Sequence, residues 1–365
     1  MSEWQTFCLK DLGKIVGGAT PPTNNPKNYG NKIAWITPKD LSTLQGRYVK
    51  KGSRSISRLG FKSCSCVLLP KHAILFSSRA PIGYVAIAEK RLCTNQDFKS
   101  IIPNKKIYFE FLYYLLKYHK NNLINMGEGT TIKGIYNIAL GLFKVKIPPT
   151  YYEQQKIART LSVLDQKIEN NHKINELLHN LAHKVYEYYF KYKPKNAKLE
   201  QIIIENPKSS IMVKNAQKTQ DKYPFFTSGD NTLSYPKAII DGRNCFLNTG
   251  GNAGIKFYVG KASYSTDTWC ISANEFSDYL YLLLSSIKNH INQSFFQGTS
   301  LKHLQKNLLK KYPIYMPSAH EIKKFNQIIM PLLTLISINT RTSKKLEQIR
   351  DFLLPLLLKQ QVKPE

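Results

Sequence analysis

The sequence predicts an α+β protein built as an internal repeat, with two globular α/β domains and two long helices in coiled-coil packing. Three observations predict it. Gly129-Thr130-Thr131-Ile132-Lys133 returns as Gly298-Thr299-Ser300-Leu301-Lys302, 169 positions later. Each copy runs into a short apolar stretch ending in proline, Lys146-Ile147-Pro148 and Tyr315-Met316-Pro317. Both then enter an unbroken 4,3 spacing of mainly apolar residues, now offset by 168. A unit this long is a duplicated domain plus helix, too long for a solenoid repeat.

In chain order, residues 1–150 form the first globular domain. Ile33-Ala34-Trp35-Ile36-Thr37, Ala73-Ile74-Leu75-Phe76 and Tyr84-Val85-Ala86-Ile87-Ala88 are β-branched and apolar runs that predict strands. Gly17-Gly18-Ala19-Thr20-Pro21-Pro22 and Asn24-Asn25-Pro26 predict loops. Tyr108 to Tyr118 predicts a helix. Residues 198–317 repeat this order, with strands at Cys245-Phe246-Leu247 and Lys256-Phe257-Tyr258-Val259 and a helix at Tyr279 to Leu284. Phe76 through Gly83 aligns with Leu247 through Gly254 at an offset of 171, and Thr94 through Phe98 with Ser265 through Trp269 at the same offset.

Residues 151–197 and 318–365 form the helical parts. In the first, Ile157, Leu161, Leu164, Ile168, Asn171, Asn175, Leu178, Ala182, Val185 and Tyr189 step by four and three. In the second, Phe325, Ile329, Leu332, Ile336, Asn339, Ser343, Leu346, Arg350, Leu353 and Leu357 keep the same register. Such a seam over more than four heptads predicts coiled-coil packing. Thr150 and Glu153 form a capping-box pattern at the first helix start. Both seams turn polar near their middle, at Asn171/Asn175 and Asn339/Ser343, which suits an antiparallel pair registered by a polar layer. Pro331 predicts a kink or late start in the second helix.

The net charge is +29, and it is uneven. Residues 1–150 carry 23 Lys/Arg against 7 Asp/Glu, and residues 198–317 carry 14 against 8. The globular parts therefore hold +22 of the total, which points to a polyanionic partner; a merely solubilising surface is the plainer alternative. No apolar run reaches about 18 residues, and Met1-Ser2-Glu3-Trp4-Gln5-Thr6 lacks the regions of a signal peptide, so a cytoplasmic protein with no membrane partner is expected. The six cysteines have no zinc spacing, and Cys64-x-Cys66 reads as two positions flanking alternate faces of a strand. The eight histidines do not cluster at ligand spacing. No phosphate loop or dinucleotide fingerprint occurs, and Ile147-Pro148-Pro149-Thr150 lacks the Asn or Asp that an amino-methyltransferase needs before its proline pair. No catalytic residue, metal site or cofactor is expected.

What remains is a polar and basic inventory in two matching places. The first copy offers Ser77, Ser78, Arg79, Asn95, Gln96, Thr130 and Lys133, with Lys39 upstream. The second offers Asn248, Thr249, Asn252, Thr266, Thr268, Thr299 and Lys302. Arg pairs with guanine, and Asn or Gln with adenine, through two hydrogen bonds at the major-groove edge. Ser, Thr and Lys beside glycine suit phosphate contacts. Taken singly, each of these residues is better explained by an ordinary turn or cap; their repeated placement carries the DNA-binding expectation.

At this point the chain resembles the specificity subunits of type I restriction–modification systems. Gly17-Gly18-Ala19-Thr20-Pro21 with Ile33 through Leu41 resembles the opening of a target recognition domain, and Ser77 through Tyr84 with Thr94-Asn95-Gln96 its central motif. Ile147-Pro148-Pro149, Glu153-Gln154-Gln155-Lys156-Ile157-Ala158 and Leu164-Asp165-Gln166-Lys167-Ile168 are similar to the central spacer, and Arg350 through Leu357 to the end of the terminal one. The second copy departs: Pro317-Ser318-Ala319-His320-Glu321 has no second proline and no Glu-Gln-Gln run. The resemblance implies a non-catalytic reader. Its two recognition domains each grip one half of a split double-stranded DNA site. Its antiparallel helices hold them apart and dock two methyltransferase subunits, and a motor–nuclease subunit joins through the complex. A self-contained methyltransferase or nuclease, and a basic coiled-coil scaffold for nucleic acid, are the alternatives.

Overall fold

A computed structural model describes residues 3–129, 133–216 and 222–364. The chain forms two compact units, one of residues 1–170 with 343–365 and the other of residues 171–342. Each unit therefore contains a globular part and a stretch of both long helices.

In the first unit, five strands lie in the order Gly13–Gly17, Lys99–Pro103, Ile74–Phe76, Val85–Ala88 and Tyr48–Val49. A second sheet centres on Tyr29–Ile36, antiparallel to Arg54–Ile56 and parallel to Cys93–Thr94. In the second unit, Ile204–Glu205, Thr268–Ser272, Arg243–Asn248 and Ile255–Val259 follow the same order as the first four strands above. Its other sheet centres on Tyr223–Phe226, antiparallel to Leu233–Tyr235 and parallel to Ser263–Tyr264. Strand order and sense thus repeat even where the residues do not. An apolar helix sits in each core, Phe109–Tyr118 and Ser277–Ser286, at the places expected from their leucine and aromatic content.

The one-residue difference between the copies falls in a turn. The Ser77 N–H donates to the Tyr84 carbonyl (2.9 Å), and the Asn248 N–H to the Gly254 carbonyl (2.9 Å). The second turn is shorter by one residue, so beyond it the repeat runs at 170. The Asn95 N–H reaches the Ile36 carbonyl (3.0 Å) as that of Ser265 reaches Phe226 (2.9 Å). This corrects the 171 alignment of that segment: Asn95-Gln96-Asp97-Phe98 matches Ser265-Thr266-Asp267-Thr268.

The long helices run Tyr151–Phe190 and Ala319–Leu358. Every apolar and polar seam position named above is buried or half-buried, as the spacing requires. In the first unit, Ile157, Ala158 and Leu161 share a core with Leu354, Leu357 and Leu358. In the second, Phe190 packs on Phe325 with ring centroids 4.9 Å apart, while Asn175 Oδ1 accepts from Asn339 Nδ2 at 2.9 Å. Within the second unit, rising numbers on one helix meet falling numbers on the other, so the segments are antiparallel. The first helix opens at the expected cap, with the Glu153 N–H on Thr150 Oγ1 (3.2 Å). The second opens on Ser318 and Glu321 in the same way. Its start precedes Pro331, so no late start occurs; Pro331 and Gln327, whose carbonyl loses a donor, both face solvent.

Residues 64–66 are not a strand. Cys64 Sγ reaches back to the Gly60 carbonyl (3.5 Å) after the helix Arg58–Lys62, and Cys66 Sγ donates to the Ala19 carbonyl (3.0 Å). The two sulfurs lie 3.1 Å apart as free thiols, on the same side.

An arginine ties each globular part to a long helix. Arg47, with a side chain 3% exposed, bonds Glu110 and, on the helix, Glu169, both at 3.1 Å. Burial alone would lower its pKa, but Tyr114, Glu169 and Glu110 outweigh that and raise it. Arg350 then bonds Asp165 at 2.7 Å, and Asp165 accepts from the Tyr114 hydroxyl at 2.5 Å. In the second unit Arg243 grips Asp278 (2.5 and 2.6 Å) and reaches Thr334 Oγ1 (2.9 Å) on the helix.

Candidate nucleic-acid interface

Three separate sequence motifs meet in each unit. In the first they are the turn 77–84, the turn 95–98 and the paired residues Glu128 and Gly134 that flank the third motif. The Asp97 carbonyl accepts from the Ser78 N–H (2.7 Å) and Oγ (3.0 Å). Glu128 and Gly134 exchange reciprocal backbone bonds, and Ile135 N–H then donates to the Ser78 carbonyl (2.9 Å). A backbone bridge pairs Arg79 with Gly134.

The second unit repeats this joint. The Asp267 carbonyl accepts from the Thr249 N–H (3.2 Å) and Oγ1 (2.7 Å), and Leu304 N–H donates to the Thr249 carbonyl (3.0 Å). Gly250 pairs with His303 where Arg79 pairs with Gly134. Phe296–Gln297 and His303–Leu304 form the hairpin that carries Gly298 to Lys302.

The predicted residues divide into two groups. Ser77, Ser78, Asn95, Asn248 and Thr268 are buried and bonded within the loops. Ser77 Oγ donates to the Pro81 carbonyl (2.8 Å) and accepts the Tyr84 N–H (2.8 Å). Asn95 Nδ2 donates to Asp97 Oδ2 (2.6 Å). Asn248 Nδ2 donates to the Asn252 carbonyl (3.1 Å), and Thr268 Oγ1 to the Phe226 carbonyl (3.2 Å). Half-buried Thr249 spends its hydroxyl on Asp267. Lys39, Gln96, Lys133, Asn252, Thr266, Thr299 and Lys302 present exposed side chains, and Arg79 is 42% exposed. Lys39 lies in the short helix Pro38–Ser42, just after the Ile36 carbonyl that receives Asn95. Thr130, with Thr131 and Ile132, lies outside the described residues.

Sequence reasoning missed the residues at the centre of each joint. Asp97 and Asp267 occupy equivalent places, but an alignment one residue out set Asp97 against Thr268 and hid the match. It also missed Lys256, whose Nζ is spent on the Thr227 and Gly229 carbonyls (2.7 and 2.6 Å) and on Asn248 Oδ1 (3.2 Å). Burial holds its pKa below the usual lysine value. Burial and the charge of Arg79 lower that of Lys99 as well, which marks a cation-crowded edge on the first joint. Gly18 is required there by close approach, since any Cβ would overlap the Thr94 and Asn95 carbonyl oxygens.

Among the described residues, no group of three His, Cys, Asp or Glu is placed to hold a metal ion, and no helix is long and apolar enough to cross a membrane. The joint can offer backbone N–H groups, cations and amides to an anionic polymer, twice over.

The family model described as type I restriction modification DNA specificity domain matches residues 1–180 and again residues 195–348. The chain belongs to this specificity family. Among its relatives, the MjaIX specificity subunit of Methanocaldococcus jannaschii is 31% identical over 408 residues, 98% of this chain and 93% of that protein. The HindI specificity subunit of Haemophilus influenzae is 32% identical over 114 residues, 31% of this chain and 24% of that protein. The type I restriction–modification S subunit from M. genitalium shares the fold, with a TM-score of 0.63 at 18% identity, covering 97% of this chain and 96% of that one. The two family matches fall one on each copy of the repeat, as two specificity domains in one chain.

Proposed function

We propose that this chain is the non-catalytic specificity subunit of a type I restriction–modification complex, reading a two-part duplex site with one half-site per globular domain. The observation that carries this reading is the doubled three-motif joint, the same in backbone and different in side chains. Two copies of one frame with unlike residues suit two unlike half-sites. Lys39, Arg79, Gln96 and Lys133 face DNA in the first domain; Asn252, Thr266, Thr299 and Lys302 do so in the second. Thr130 joins them on sequence grounds. Ser77, Ser78, Asn95, Asn248, Thr249 and Thr268 shape the loops that hold the others.

The antiparallel helices then act as the spacer between the domains and as the docking site for two methyltransferase subunits. Exposed apolar side chains support this: Ile174, Leu177 and Leu181 in one unit, Val163, Ile349 and Phe352 in the other. Ile174, Leu177 and Leu181 recur at helical spacing on one face, and a contiguous exposed apolar face marks an interaction surface. The methyltransferase subunits supply the S-adenosylmethionine chemistry, and a motor–nuclease subunit enters through the complex; all of it takes place in the cytoplasm.

The test is reconstitution. The chain alone, given S-adenosylmethionine, magnesium and ATP, should neither methylate nor cut DNA. With its methyltransferase subunits it should direct adenine methylation to one two-part site. Methylation or cleavage by the purified chain would favour a self-contained enzyme instead.

A further inference from the structure

We infer that Asp97 positions Arg79 as a two-pronged guanine reader in the first recognition domain, and that the second domain has no counterpart. This rests on the DNA-reading function proposed above. Arg79 is bonded through Nε to Asp97 Oδ1. Asp97 is itself pinned: Oδ2 accepts from Asn95 Nδ2 (2.6 Å), and its N–H donates to Asn95 Oδ1 (3.2 Å). The Asp97 carbonyl meanwhile anchors Ser78, the residue before Arg79. The guanidinium is planar, so a fixed Nε contact fixes the plane and direction of the whole fork.

Nη1 and Nη2 have no hydrogen-bond partner among the described residues. The side chain is 42% exposed, against 17% for Asp97. Two parallel N–H donors are therefore left unspent on a side chain that is substantially exposed. Guanine presents two acceptors side by side, O6 and N7, on its major-groove edge, and this matches the fork. Lys99, whose pKa is lowered by burial and by Arg79, adds positive charge nearby.

In the second unit the position that pairs with the hairpin is Gly250, which has no side chain to aim. The Asp267 carboxylate there accepts from the Ser265 hydroxyl. The same frame thus holds a carboxylate-aimed arginine in one copy and no counterpart of that pair in the other.

Asp97 has two effects of opposite sign. Its negative charge opposes phosphate, while its bond to Arg79 sharpens base choice. The experiment reads both. The full chain, assembled with its methyltransferase subunits, is used to select duplexes from a randomised pool, and affinity for a random duplex is measured in parallel. The wild type is expected to select a two-part site with a guanine in one half. In Arg79→Ala and Asp97→Ala, that single position should relax by roughly 5- to 150-fold, with the other half-site unchanged. Asp97→Ala should bind random duplex more tightly and Arg79→Ala less tightly. Asp97→Glu, which keeps a carboxylate, should keep the guanine.

Should the alanine variants fold poorly, Arg79→Gln decides: it keeps a polar side chain at the position but its amide pairs with adenine, so the guanine preference should fall at that one position. An undiminished guanine in the Arg79 variants overturns the assignment. So does equal loss at every position in Asp97→Ala, which would make Asp97 a loop support only. If the wild-type complex selects no two-part site, the functional reading itself fails and this assignment with it.

Discussion

Arg243 and Asp278 meet where water barely reaches, with side chains 17% and 2% exposed. Burial pushes the Asp278 pKa up even though Arg243 pulls it down, so the carboxylate depends on its partner to stay charged at low cost. Arg243→Ala should therefore destabilise the protein by about 3–5 kcal/mol, because it strands a buried charge. Urea unfolding would read this, and a loss under 1 kcal/mol would show that solvent reaches Asp278 after all. Exposed Lys133→Ala is the control, expected within about 0.5 kcal/mol of wild type. Single residues were the hardest scale to read from sequence. Nothing local marks Asp97 as the centre of a joint, because its partners Ser78 and Arg79 are brought to it by tertiary folding. The same holds for the burial of Ser77 and Asn248, which look like surface turn residues in the bare sequence. A hydroxyl or amide beside glycine looks identical whether it faces DNA or ties down a loop.

The long helices were the most legible elements, since a 4,3 spacing sustained over more than four heptads leaves few alternatives. The polar interruption at their middle is where the sequence made a specific promise, and Asn175 does meet Asn339. Asn175→Leu alone should cost about 1–3 kcal/mol, because Asn339 Nδ2 loses its acceptor. Replacing both by Leu should recover most of that loss or exceed wild-type stability, as buried polar layers trade stability for register. A double-mutant cycle in thermal unfolding measures the coupling, and additive losses would mean that the two amides act independently. The start of the second helix carries a pH dependence. Bonds from the Ser318 N–H and the Tyr315 hydroxyl hold Glu321 at a pKa of about 2, below the ordinary 4.5. A depressed carboxyl contributes stability above its unfolded pKa and loses it as pH falls toward the folded one. Between about pH 4.5 and 2, the wild type should therefore lose stability faster than Glu321→Gln, as judged by urea midpoints. Parallel decline of the two proteins would show that this cap contributes nothing measurable. Strands were legible as runs but not as sheets, because pairing such as Tyr29–Ile36 with Cys93–Thr94 joins segments far apart in the chain.

At the scale of the whole molecule, charge dominates the expected behaviour. The globular parts hold +22 of the +29, so affinity for random duplex should fall steeply with salt, by roughly 10³–10⁵ between 50 and 200 mM if about 6–10 phosphates are contacted. Filter binding or fluorescence anisotropy across that range tests it, and a flat response would remove phosphate contact from the account. Residues 1–150 alone, by contrast, make a poor fragment. The core of that unit includes Ile157, Ala158 and Leu161, and also Leu354, Leu357 and Leu358 from the chain's other end. The joint has one further property. In both copies its central acceptor is a main-chain carbonyl, that of Asp97 or Asp267, and backbone bridges join Arg79 to Gly134 and Gly250 to His303. Main-chain atoms are the same for every amino acid. The lettering at positions 79, 96 and 133, or 250, 266 and 302, can therefore be rewritten while the page that holds it stays bound, and a new DNA vocabulary need not await a new fold.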